Sequence, residues 1–187
     1  MWFTVPNLFT LLRVAMTPYI LLELARGRYM VAGWTFGAAA FTDTLDGFIA
    51  RRFASQSRVG LYLDPIADKL LLSGIYLGLM LGHAIPAWIV VVVFARDFWI
   101  LLLSGIALRF TEFRNLNPSV WGKASTFVQI MTAVGIMAAR AYRNAVFGQI
   151  ADWLAWAVVA LAVVSAADYT ARGVGYRLRS ARGLHGG

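Results

Sequence analysis

Four aspartates crowd into one stretch, DTLDGFIARRFASQSRVGLYLDPIADK, of a chain that has only nine acidic residues in all. Asp43 and Asp46 are three positions apart, and Asp64 and Asp68 four apart, so on helices each pair projects from a single face. Converging carboxylates repel one another and need cations. Ion pairs to Arg51, Arg52, Arg58 and Lys69 would meet that need without binding anything. Alternatively, an all-oxygen ligand set holds one or two hard divalent ions, Mg²⁺ or Mn²⁺, open to a substrate phosphate. Ionisable groups in an apolar helical setting are a functional-site hypothesis by default, which favours the second reading. Gly47 follows Asp46 directly and Gly60 precedes Asp64, leaving room beside the carboxylates for a ligand or for another backbone. Helix packing alone accounts for these glycines about as well.

The elements around this stretch are greasy. Of the 187 residues 60% are hydrophobic and 14% charged, with a mean hydropathy of +0.67, which points to a membrane protein. Six hydrophobic segments, at residues 6–24, 30–53, 60–81, 85–108, 120–141 and 147–170, are each near the roughly 20 residues that a spanning helix requires. The expected fold is therefore an all-α membrane protein, a bundle of six transmembrane helices with short connections and no soluble domain. The first segment carries Arg13 and lacks a basic leader and a small-residue cleavage site, so it reads as a span and not as a removable signal. Cysteine is absent, which excludes disulfides and thiolate metal sites.

Six spans put both termini on one side, and arginine selects the side. The face of the termini holds Arg51, Arg52, Arg58, Arg109, Arg114, Arg172, Arg177, Arg179 and Arg182, whereas the opposite loops hold Arg26, Arg28, Arg140 and Arg143. The positive-inside rule places the richer face, with the link from segment 2 to segment 3, in the cytoplasm. Segments 2 and 3 then form an antiparallel pair whose acidic ends meet at that surface. The formal net charge of +8 suits anionic headgroups or phosphates, and with so much apolar length lipid is favoured over nucleic acid as the partner.

Taken together the residues read Asp43-x2-Asp46-Gly47-x2-Ala50-Arg51-x8-Gly60-x3-Asp64-x3-Asp68. This resembles the signature of the CDP-alcohol phosphotransferase family, the class I CDP-alcohol phosphatidyltransferases, at all of its fixed positions. A six-span plan with the signature across segments 2 and 3 is also that family's plan. The resemblance covers residues 1–173 as one transmembrane domain and leaves 174–187 as a basic tail, expected to lie against anionic lipid or to be disordered. It implies attack by an alcohol on the β-phosphorus of a CDP-linked lipid alcohol, with CMP leaving. By the same analogy Asp43, Asp46, Asp64 and Asp68 hold two divalent ions on the pyrophosphate. Asp68 is also the base for the acceptor hydroxyl, and Gly47, Ala50, Arg51 and Gly60 line the CDP site. The implied setting is a bacterial inner membrane, and the family is commonly homodimeric.

The segments VPNLFTLLRVAMTP and GKASTFVQ look like the branch that makes phosphatidylglycerophosphate or cardiolipin from CDP-diacylglycerol. The acceptor is glycerol 3-phosphate in one case and phosphatidylglycerol in the other, so either brings a phosphate. Arg13, Arg96 and Lys123 are the candidates to grip it; the plain alternatives are snorkelling or pairing with Asp97. Members that use glycerol 3-phosphate usually carry an arginine about two helical turns past the position of Arg96. They also usually carry a second basic residue in the stretch matching residues 122–126. Here those places hold Ser104 and Ser125, and a monoanionic phosphodiester needs less positive charge than a small doubly charged phosphate. That argument leans toward phosphatidylglycerol, a cardiolipin synthase, with glycerol 3-phosphate as the alternative.

Gly74, Gly78 and Gly82 form a small-xxx-small run that permits close helix approach, either inside the bundle or between subunits. His83 and His185 have no metal-ligand company, and Asp168 has Arg172 four positions on, as for a helix-surface ion pair. A cation or proton transporter whose aspartates form the ion path is the competing class. The confinement of the acids to one end of two helices, with no repeat in which they recur, speaks against it.

Overall fold

The computed structural model describes the backbone over residues 5–53, 60–110 and 120–181, and the side chains over 11–42, 67–103 and 120–171. Among these residues the chain is all-helical, with six helices: α1 Val5–Ala25, α2 Tyr29–Phe53, α3 Gly60–Leu81, α4 Ala87–Phe110, α5 Val120–Tyr142 and α6 Ala145–Ala181. They fall on the six hydrophobic segments to within a few residues, except that α6 continues past residue 170. Its 37 residues carry the helix through most of the basic stretch that begins at Arg172. Among the described residues two helical stretches, Val120–Tyr142 and Ala145–Ala171, are long and apolar enough by composition alone to cross a membrane. Large apolar side chains stand exposed, Trp34 at 74% and Trp153 at 78%, a surface fitted to lipid tails.

The chain divides into two compact units, one of Met1–Ala87 with Ala133–Ala151, the other of Trp88–Thr132 with Asp152–Gly187. In the first, α1 packs against both α2 and α3. The contact with α3 runs along the glycine face: a β-carbon on Gly74 would meet Thr17 Cγ2 at 2.7 Å, and one on Gly78 would meet Leu24 Cβ at 2.9 Å. One on Gly82 would lie 2.3 Å from the Leu24 carbonyl oxygen. The small-residue run is thus an internal seam, occupied by α1. Because Thr17, Leu21 and Leu24 meet Gly74, Gly78 and Gly82 in ascending order, α1 and α3 run parallel.

The turns at the far end of this unit have local causes. α1 stops at Gly27, whose φ of 73° closes the helix with Gly27 N–H to Leu24 O (3.0 Å) and Arg28 N–H to Glu23 O (2.8 Å). α3 ends the same way on His83, at φ 54°, with Ala84 N–H bonded to Leu79 O at 2.8 Å. The Arg140 guanidinium donates to the exposed carbonyls of His83 (3.4 Å) and Ala84 (3.1 Å), a cation at a helix C-terminus. Asn144 caps α6 by accepting from Val146 N–H at 2.8 Å. Tyr29 Oη donates to Gly82 O at 2.8 Å, tying the start of α2 to the end of α3. The ties put α2 antiparallel to α3.

Candidate functional site

The Tyr29–Gly82 tie sets the height of the acidic residues. Asp43 lies fourteen positions along α2 from Tyr29, and Asp68 fourteen positions back along α3 from Gly82. At the rise of an α-helix each backbone position is about 21 Å from the tie, so the two aspartates stand at one level of the unit. Asp46 is a turn further along α2 and Asp64 a turn earlier on α3, on the same side of that level. The side chains of Asp43, Asp46, Gly47, Ala50, Arg51, Gly60 and Asp64 lie outside the described residues, as do those of Ser104 and Arg172. What is placed is the backbone: five of the eight signature positions sit in the second half of α2, and three in the first half of α3.

Asp68 is described in full. Its carboxylate is 59% exposed, and Arg13 Nη1 donates to its Oδ1 from α1, across 55 residues of sequence. The Arg13 side chain is itself 5% exposed, so a buried cation reaches out to a carboxylate at the open end of the unit. This pairing is not among those that spacing suggests: the alternatives for Arg13 were a substrate phosphate, snorkelling or Asp97. Parallel packing of α1 on α3 brings it about, because Arg13 is one turn before Thr17 and Asp68 lies before Gly74 on the facing helix. The guanidinium compensates part of the carboxylate's charge, and the 59% exposure leaves the group accessible from solvent.

In the second unit the other expected arginine is also engaged. Arg96 on α4 is 6% exposed, and its Nη1 donates to Asp97 Oδ1 at 2.6 Å. Its Nη2 donates to Ser165 Oγ on α6 at 2.9 Å and to Gly122 O on α5 at 3.3 Å. The pairing with Asp97 is the plain alternative that the sequence allows. Lys123 follows Gly122 and is exposed. Ser125 is fully buried and its hydroxyl has no hydrogen-bond partner among the described residues; Arg96 Nε is likewise buried and unpartnered. Gln129 and Thr132 continue the buried polar face of α5, with Thr132 Oγ1 donating to Val128 O (2.8 Å) and Leu154 O (3.1 Å).

Sequence reasoning passed over Ser165, Gln129 and Thr132, since single polar residues in long apolar runs carry no signal until their neighbours are known. It also passed over Glu23, 3% exposed, which pairs with Arg26 and Arg28 at 3.3 and 3.5 Å at the end of α1. An apolar cavity of about 200 Å³ against the start of α2 and the end of α5, lined by Gly33, Trp34, Phe36, Met137 and Tyr142 among others, is at the opposite end of α2 from Asp43 and Asp46. It has no part in the acidic site.

Comparison with known proteins matches these arrangements to relatives. The chain is 32% identical over 173 residues to a probable phosphatidylglycerophosphate synthase of Mycobacterium tuberculosis, covering 89% of this chain and 79% of that one. It is 30% identical over 186 residues to the CDP-diacylglycerol–glycerol-3-phosphate 3-phosphatidyltransferase of Bacillus subtilis, covering 89% and 93%. A probable CMP-forming cardiolipin synthase of Drosophila melanogaster is 33% identical over 146 residues, 69% of this chain and 45% of that protein. The family model for CDP-alcohol phosphatidyltransferase matches residues 3–164, taking in α1 to α5 and most of α6 with every position of the acidic signature. The spaced aspartates on α2 and α3, and the helices that carry them, are those of a CDP-alcohol phosphatidyltransferase, and the chain belongs to that family.

Proposed function

We propose that this enzyme is a cardiolipin synthase, transferring the phosphatidyl group of CDP-diacylglycerol to a hydroxyl of phosphatidylglycerol. The acceptor oxygen forms a bond to phosphorus as the bond to CMP breaks, and the hydroxyl proton passes to Asp68. Asp43, Asp46, Asp64 and Asp68 would hold two Mg²⁺ or Mn²⁺ ions; when bound, these supply positive charge to the pyrophosphate and to the departing CMP. The backbones of Asp43 and Asp68 at one level, with those of Asp46 and Asp64 a turn further toward the same end, suit such a donor set. Gly47, Ala50, Arg51 and Gly60 would line the CDP site, while Arg96 and Lys123 face the acceptor's phosphate.

The observation that carries the choice of acceptor is the state of the two buried arginines. Arg13 is spent on Asp68 and Arg96 is half-neutralised by Asp97. Among the described residues these pairings reduce the positive charge that the two arginines offer to a dianionic phosphate, which suits a phosphodiester with one charge. One observation favours glycerol 3-phosphate: the two relatives that share 89% of this chain are named for making phosphatidylglycerophosphate or for using that acceptor. Supplying each acceptor separately to purified protein with CDP-diacylglycerol, and identifying the lipid formed, decides between them. Cardiolipin is expected; phosphatidylglycerophosphate alone would overturn the charge argument.

The same reading includes six membrane spans, both termini and the aspartates on the cytoplasmic side of a bacterial inner membrane, and a homodimer. The seam between α1 and α3 is filled from within, so a subunit interface would use another face.

A further inference from the structure

Arg96 is held from three helices. Asp97, its neighbour on α4, takes a hydrogen bond from Nη1 at 2.6 Å, Gly122 O on α5 takes one from Nη2 at 3.3 Å, and Ser165 Oγ on α6 takes another from Nη2 at 2.9 Å. The guanidinium offers five N–H groups in one rigid plane, so fixing two of its nitrogens fixes the direction of the others. Among the described residues the buried Nε–H has no acceptor, and the buried Ser125 hydroxyl, one turn beyond Gly122 on α5, has no partner either. A desolvated N–H left unbonded is unfavourable, which makes Nε the point at which an anionic oxygen from outside the protein is best received.

The three holds are not equivalent. Asp97 balances the charge from the next residue of the same helix. Gly122 O is distant and is shared with Thr126 Oγ1, which donates to it at 3.2 Å. Ser165 is fully buried in an otherwise apolar part of α6, and its bond to Nη2 has ordinary length. We infer that Ser165 is a positioning residue for the acceptor substrate: by accepting from Nη2 it sets the plane of the Arg96 guanidinium so that Nε–H is presented to a phosphate oxygen of the acceptor. The inference rests on the proposed contact between Arg96 and the acceptor's phosphate.

The experiment is steady-state kinetics on the purified full-length protein, with the KM for each substrate determined separately for Ser165→Ala, Ser165→Thr, Ser165→Val and Arg96→Gln. Ser165→Ala is expected to raise the KM for the acceptor about tenfold, the loss of one charge-assisted hydrogen bond, with the KM for CDP-diacylglycerol within about twofold of the parent. Thr and Val have the same shape and differ in the hydroxyl, so Ser165→Thr should retain the parent's acceptor KM relative to Ser165→Val; this pair decides the matter should Ser165→Ala not fold. If Arg96→Gln raises the acceptor KM and the serine variants do not, the positioning role is wrong while the Arg96 contact stands. If Arg96→Gln leaves the acceptor KM unchanged, the contact itself is wrong and the inference goes with it. A parallel rise in both KM values with a lowered thermal midpoint would mark Ser165 as a packing residue and overturn the proposal.

Discussion

Asp68 and Arg13 set two demands on one carboxylate. As the proposed base, Asp68 would have to be open to a substrate hydroxyl, which its 59% exposure allows, and held in place, which the buried Arg13 does from α1. Replacing Asp68 by Asn keeps the size and removes the proton acceptor; release of CMP from CDP-diacylglycerol should fall by about a thousandfold, as for loss of a general base. Replacing Arg13 by Met keeps the buried stem and removes the charge. CMP release should then drop about tenfold, the scale of one charge-assisted hydrogen bond, while the helical circular dichroism spectrum is retained. Full activity in Arg13→Met would show that the pair is incidental to the site.

At the scale of elements, the parallel contact of α1 with α3 positions this pair, and its glycines test it. At Gly82 an added β-carbon would meet backbone, the Leu24 carbonyl at 2.3 Å, so α1 must move. Gly37 on α2 has nothing within 4 Å of where a β-carbon would be. Gly82→Ala should therefore lower the thermal midpoint in detergent and reduce activity along with it, by displacing Arg13 from Asp68. Gly37→Ala should raise the midpoint slightly, since alanine is favoured over glycine in a helix interior by about 0.5–1 kcal/mol. Equal effects of the two substitutions would refute the close seam.

For the whole molecule, the competing reading is an ion pathway, and the two make opposite predictions. Removing divalent ions with EDTA should abolish CMP release, and Mn²⁺ or Mg²⁺ should restore it. Ion flux through liposomes without any CMP release would favour a transporter instead. The absence of cysteine makes orientation simple to read. If the proposed orientation is right, in right-side-out spheroplasts a membrane-impermeant maleimide should label Val146→Cys, at the start of α6, and leave Ser57→Cys, between α2 and α3, unlabelled until the membrane is opened. The reverse pattern would invert the topology.

The helices and the acidic signature could be read in advance because both depend on local pattern: apolar runs of spanning length, and carboxylates at helical spacing. All six helices fall where the hydrophobic segments do. The backbone levels of Asp43 and Asp68 follow from helix rise once the Tyr29–Gly82 tie is known, but that tie joins residues far apart in the chain. The same limit applies to Arg13, to Arg96 with Ser165, and to the glycine run. Spacing suggested neither Asp68 for Arg13 nor Ser165 for Arg96, and it left the glycine run open between the bundle and a subunit contact. Composition and short-range spacing establish which residue types are present and on which helix face, because a helix repeats with a known period. Which face meets which neighbour is a competition among long-range contacts, and it was resolved only when α1 settled into the seam of α3 and α6 brought Ser165 to Arg96.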